Sequence, residues 1–166
     1  MNQKLLKLRA ILNELGGYDP LDSLVKAHFQ RRIYLLQAFG LPLQYKFLYS
    51  SAGPTSTILA RDLIHQEFDY DIDLYIRYTN LTPEALHQIQ RLQQFEGILP
   101  EDNRREYLRA ASLIHMLVHQ RHWTKGDIER NMITGPQAQV DVDMFTLVWD
   151  ALQQAGLLKG RKVEMI

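Results

Sequence analysis

Near the amino terminus the apolar positions recur at helical spacing: Leu5, Leu8, Ile11, Leu12 and Leu15 form one stripe, and Gly16-Gly17 stops it. Asp19-Pro20 then supplies a cap and a first-turn proline, and Val25, Phe29, Ile33 and Leu36 mark a second helix that ends near Gly40 and Pro42. From Ile33 to Phe39 this helix is apolar almost all round, which predicts a central position. The pattern changes at 44–49, which is short, aromatic and alternating and predicts a strand, with a turn at Gly53-Pro54. Thr55 or Ser56 caps a third helix, with Ile58, Leu59, Leu63 and Ile64 predicted inward and Arg61, Asp62 and His65 outward. A second strand is predicted over 68–78. There Phe68, Tyr70, Ile72, Leu74, Ile76 and Tyr78 take one face, and Asp69, Asp71, Asp73, Tyr75 and Arg77 the other.

Beyond it the chain reads as helical. Thr82-Pro83 opens a helix carrying Leu86, Ile89, Leu92 and Phe95 that Gly97 closes. Leu108, Ala111, Ile114, Leu117 and Val118 mark the next. Thr124 with Asp127 makes a start like a capping box for a short helix holding Ile128 and Met132. Gly135-Pro136 precedes a last helix from about Val142, through Phe145, Val148, Trp149 and Leu152, to Gly156, and the residues after it suit a small hairpin turning at Lys159-Gly160. The expected fold is therefore mainly α, of the α+β kind: a helical unit with a short antiparallel sheet in which 44–49 pairs with 68–78. Residues 101–166 carry winged-helix-like elements, and the whole is expected to form one compact unit.

Composition sharpens this picture by exclusion. The chain has 166 residues, of which 46% are hydrophobic and 23% charged, as in ordinary globular proteins. The absence of cysteine excludes disulfides, thiolate zinc sites, iron-sulfur clusters and a cysteine nucleophile. Lys4, Lys7 and Arg9 interrupt the first apolar pattern where a signal peptide needs an unbroken stretch, and no window reaches the length of a membrane span, so a cytoplasmic protein without a membrane segment is expected. Nineteen basic residues balance nineteen acidic ones, which removes the global positive field that drives non-specific binding to nucleic acid. Charge is nonetheless sorted along the chain: residues 1–66 are net basic, 67–106 net acidic and 107–166 nearly balanced.

Candidate chemistry is sparse. His115, His119 and His122 are spaced to share a helix face as a metal site requires, but the glutamate of the H-E-x-x-H pattern is missing, and partly exposed helix histidines with no metal are the expectation. Asp69, Asp71 and Asp73 lie about 7 Å apart on one strand face, a spacing that would let two of them share a divalent ion as in some nucleases. No basic catalytic residue accompanies them, and acidic residues on a strand also discourage edge-to-edge pairing. Neither G-x-S-x-G, a P-loop nor G-x-G-x-x-G appears, so no catalytic residue, metal or other cofactor is assigned. The helix order of 104–166 suggests a nucleic-acid reader, yet the helix that would enter the major groove carries Asp141, Asp143 and Asp150 and neither Lys nor Arg. Lys26, Arg31 and Arg32 on the second helix are the better basic patch for that alternative.

The stretch QRRIYLLQAFGLPLQYKFLYSSAGPTSTILARDL joins several of these features. It resembles the YwgA-like family of small prokaryotic proteins and, more distantly, the Panacea or SocA-like antitoxin domain, through Gln30, Tyr34, Leu35, Gln37, Phe39, Gly40, Tyr45, Phe47, Tyr49, Gly53, Pro54, Ser56, Leu59, Ala60 and Leu63. The stretch from Leu108 to Leu158 is similar to the carboxy-terminal part of YwgA-like proteins. The resemblance implies a fold, and with it an antitoxin-like or adaptor role in a bacterial stress or phage-defence system; the missing catalytic motifs imply a non-catalytic protein-interaction module. A winged-helix nucleic-acid-binding regulator is the alternative. A protein partner is expected on the acidic face of 68–78, where Asp69, Asp71 and Asp73 steer and Tyr75 anchors, and the same strand edge also suits self-association into a homo-oligomer.

Overall fold

A computed structural model describes residues 3–17, 23–68, 81–135 and 138–158. Among these residues the secondary structure is helical: α1 (Gln3–Glu14), α2 (Ser23–Ala38), α3 (Thr57–Phe68), α4 (Pro83–Ile98), α5 (Arg104–Gln120), α6 (Lys125–Ile128), a π-helical turn (Glu129–Ile133) and α7 (Val142–Gln154). The chain divides into two compact units, one of Met1–Leu48 with Thr55–Gln93 and the other of Tyr49–Pro54 with Gln94–Ile166.

In the first unit α3 packs against both α1 and α2. α1 buries Leu6, Leu8, Ile11 and Leu12 and ends where Gly17, at φ 97, returns its N–H to the Leu12 carbonyl. From Arg32 to Leu36 α2 is buried on every side, so it is the central helix that its unbroken apolar run predicts. Gly40, at φ 108, lets the Leu41 N–H reach back to the Leu36 carbonyl and turns the chain out of α2.

The short sheet expected from 44–49 is not present among the described residues. Burial does alternate from Leu41 to Leu48, with Leu41, Leu43, Tyr45 and Phe47 inside, and the Tyr34 and Phe47 rings meet edge to face at 5.3 Å. The backbone of this segment, however, finds its partners in glutamine side chains rather than in a neighbouring strand. Gln37 Oε1 accepts from the Tyr45 N–H at 2.7 Å while its Nε2 donates to the Tyr45 carbonyl at 3.0 Å. Seven residues back on the same helix face, Gln30 makes the same pair of bonds to Ser56, at 2.9 and 3.0 Å. A primary amide carries the same donor and acceptor as a peptide group, so each glutamine substitutes for a strand residue. One isolated antiparallel bridge, Leu48 to Thr55, is all the β pairing described. The other half of the expected sheet, 68–78, extends outside the described residues.

A second correction concerns α3. Ser56 caps it, its Oγ accepting from the Leu59 N–H, but the inward face holds Leu59, Asp62, Leu63 and Gln66, while Ile58 and Ile64 are exposed. The rotation follows from polar pairing. Asp62 Oδ2 accepts from the buried Tyr45 hydroxyl at 2.8 Å, with Lys4 and Arg61 within 4 Å of the carboxylate, and Gln66 bonds Arg9 and the Leu5 carbonyl. Burial first, then the bond and charge of Asp62, raise the Tyr45 pKa, so the phenol keeps the proton that it donates.

In the second unit α5 is buried all round from Ala110 to Val118 and packs against α7, whose Phe145, Val148, Ala151 and Leu152 face inward. The capping box at the start of α6 is formed: Thr124 Oγ1 accepts from the Asp127 N–H at 3.1 Å and Asp127 Oδ2 from the Thr124 N–H at 2.8 Å. These bonds, with Arg130 alongside, hold the Asp127 carboxyl below its usual pKa. The three helices expected within 104–156 are thus present as α5, α6 and α7. The hairpin expected to follow them, with its turn at Lys159-Gly160, lies outside the described residues.

Candidate functional site

A pocket of about 320 Å³ opens in the second unit, lined by Tyr49, Leu117, Arg121, Trp123, Asn131, Met132 and Gln139. Its volume lies at the small end of the range for ligand sites, about 300 to 1,000 Å³. Local backbone chemistry places each wall. α5 ends at Gln120, and His122 adopts the left-handed conformation at φ 57, which turns the chain so that the Trp123 N–H returns to the Leu117 carbonyl at 3.1 Å. Leu117, Arg121 and Trp123 thereby share one wall. A side-chain-bearing residue in this conformation costs about 1 kcal/mol or more, and such costs concentrate at functional positions. The π-helical turn after α6 supplies Asn131 and Met132, and the Met132 carbonyl fixes Gln139 by accepting its N–H at 2.8 Å.

The polar groups of the pocket are held in defined orientations. The exposed Arg121 guanidinium lies over the Tyr49 ring at 4.3 Å and has no carboxylate or carbonyl partner among the described residues. Arg109 does not share this role, because Glu106 neutralises it at 3.0 Å, and it donates to the Gln139 side-chain oxygen and carbonyl and to the Ser51 carbonyl. With Gln139 Oε1 turned to Arg109, Nε2 is the group left to donate. Asn131 is fixed in the opposite sense: Nδ2 donates to the Asp127 carbonyl at 2.7 Å, leaving Oδ1 to accept. Leu117 and Met132 are buried and give the pocket an apolar floor.

Arg121 stands at the carboxy-terminal end of α5, where the helix dipole opposes an anion by about 0.3 to 1 kcal/mol. A hydrogen bond to a charged group contributes about 1.5 to 3 kcal/mol, so the guanidinium outweighs the dipole. None of the lining residues is a carboxylate, histidine, lysine or hydroxyl nucleophile apart from the Tyr49 phenol. The arrangement can pair with an anionic group, and its lining holds no acid-base pair.

The residues singled out by sequence fall elsewhere. Arg32 leaves the expected basic patch: it is buried, donates to the Leu15 carbonyl and lies over the Phe29 ring, which removes it from any phosphate-facing surface. Lys26 and Arg31 are half-buried on α2. On α7, Asp143 and Asp150 are exposed together with Val142 and Gln153, so the helix presents acid where a groove reader needs cations. The acidic series Asp69, Asp71 and Asp73, with Tyr75, lies outside the described residues. His115 and His119 stack at 4.2 Å between ring centroids, but His119 Nε2 pairs with the Leu157 carbonyl at 2.7 Å, and His122 has left the helix. Among the described residues no group of three His, Asp or Glu side chains is disposed to hold a metal, and no helix is long and apolar enough to cross a membrane.

Sequence reasoning missed Arg121, Trp123, Asn131 and Gln139. The signal it had was the run His122-Trp123 between the end of an apolar helix and a capping box, a place where an arginine and an indole have no helical face to join. Compared with family models, curated proteins and solved structures, the chain matches none.

Proposed function

We propose that this chain is a non-catalytic protein-interaction module, an antitoxin-like or adaptor protein of a bacterial stress or phage-defence system acting in the cytoplasm, and that it engages its partner through the Arg121 pocket. The observation that carries the binding role is an exposed guanidinium seated on Tyr49 without a counter-charge among the described residues, beside two oriented amides and an apolar floor. Support for a non-catalytic role comes from the lining itself, which offers donors, an acceptor and rings but no acid-base pair. The antitoxin or adaptor setting rests on the likeness of 30–63 to the families above. Within that stretch Gln30 and Gln37 bind the backbone of Ser56 and Tyr45, so these motif residues act as architecture rather than chemistry. The acidic exposed residues of α7 and the burial of Arg32 weigh against the nucleic-acid reading.

The test is partner capture from the native host with wild-type, Arg121→Gln, Tyr75→Ala and Arg31→Glu proteins, each checked for folding. A partner held by wild-type and lost by Arg121→Gln alone is the expected outcome. Loss with Tyr75→Ala alone would move the working surface to 68–78. Duplex DNA binding that falls steeply with salt and weakens in Arg31→Glu would replace this reading with the regulator.

A further inference from the structure

We infer that the pocket takes the carboxy-terminal residue of a partner polypeptide, its terminal carboxylate on Arg121 and Gln139 Nε2, its own amide N–H on Asn131 Oδ1, and an apolar side chain against Leu117 and Met132. This rests on the reading of the chain as an interaction module and names what the module recognises. Charge selects the anion. Among the described residues the pocket offers one guanidinium without a counter-charge, because Arg109 is committed to Glu106, Ser51 and Gln139. A single positive charge in a planar fork matches a monoanionic carboxylate, whereas a phosphate monoester carries about −1.5 to −2 and calls for more cations. The amides select what lies next to that anion. Arg109 turns Gln139 to donate and the Asp127 carbonyl turns Asn131 to accept, so the pocket pairs a second donor for the carboxylate with one acceptor for an N–H.

A free amino acid does not satisfy this set, since its ammonium would require a carboxylate and none lines the pocket. An acylated amino acid does satisfy it, and a polypeptide terminus is the common form of that group. The volume of about 320 Å³ accommodates one terminal residue with its side chain rather than a folded segment. Capture of a terminal carboxylate by converging backbone donors is a general mode of peptide recognition, and here a guanidinium and a side-chain amide take the place of those donors. Tyr49 and Trp123 flank the site with partly exposed rings, and Tyr49 holds the guanidinium in place before the ligand arrives, which lowers the ordering cost of binding.

The experiment titrates the full chain with a library of short acetylated peptides, each made once with a free terminal carboxylate and once as the carboxamide, and reads binding by fluorescence anisotropy. Acids ending in an apolar residue are expected to bind about tenfold or more tightly than their amides, and Arg121→Gln to remove that preference. Gln139→Ala is expected to weaken the acids several-fold, and Asn131→Leu to weaken acids and amides alike by removing the acceptor for the N–H that both carry. Equal binding of acids and amides overturns the inference. Single N-acetyl amino acids carry every group that the pocket recognises and are expected to bind about as tightly as the peptides; a captured partner that stays bound when its last residue is deleted overturns the chain-end reading. If no peptide binds while Arg121→Gln still loses the captured partner, the terminus is wrong and the interaction module stands. If Arg121→Gln keeps every partner, the module reading falls first.

Discussion

His115 sits inside α5, 8% exposed, with its ring stacked on His119. Burial first, and the charge of His119 second, push its pKa down from 6.5 to about 3. The unfolded chain therefore takes a proton there near pH 6.5 that the folded chain refuses until about pH 3. The stabilisation is whole above the upper value and is lost as pH falls between the two, with a slope of up to about 1.4 kcal/mol per pH unit. Urea denaturation at neutral pH and in this acid window is expected to show that loss in wild-type and a clearly smaller one in His115→Leu; equal losses would assign the acid sensitivity to other groups. Asp62 makes a complementary case among carboxylates. Tyr45→Phe removes the hydroxyl that donates to it and is expected to cost about 1 to 3 kcal/mol, since a buried oxygen loses its closest donor. The same denaturation measurement checks it, and a change near zero would mean that Lys4 and Arg61 suffice.

For elements, the informative case is the extended segment between α2 and α3. Its alternation is that of a strand, and burial follows the alternation, yet its hydrogen bonds go to Gln37 and Gln30. Gln30→Leu leaves the buried Ser56 N–H unpaired, while the Ser56 carbonyl keeps the Ala60 N–H, an expected loss of about 1 to 3 kcal/mol. Amide hydrogen exchange separates this from general destabilisation: the Ser56 amide is expected to exchange faster in Gln30→Leu and the Tyr45 amide in Gln37→Leu, each without the other. Uniform acceleration across the first unit would argue against a local clamp. A different device closes α5. His122 holds a left-handed conformation, so the β-branched His122→Val is expected to destabilise by about 1 to 2 kcal/mol and to displace Trp123, read as a shift in indole emission. Unchanged emission would show that the turn does not set this wall of the pocket.

At the scale of the whole molecule, zero formal net charge leaves no field to keep copies apart, so light scattering across the pH range is expected to reveal a solubility minimum near neutrality. A minimum far from neutral pH would point instead to surface pairing. Helices, the caps at Ser56 and Thr124 and the central place of α2 were legible in the sequence, because periodicity, capping residues and turn glycines act within a few neighbouring positions. The inward turn of Asp62 was not, because a carboxylate reads as a surface group until a tyrosine seventeen residues away donates to it. Nor was the absence of a ladder at 44–49: alternation reports which side chains are buried, whereas the partner of each backbone group depends on what the fold brings alongside, here two glutamines. The pocket lies furthest from what sequence alone determines. Tyr49 and Arg121 are distant in the chain, and Gln139 becomes a donor there only because Arg109 occupies its oxygen. Local pattern decides which segments form helices, and tertiary contact decides which polar atoms remain free to bind.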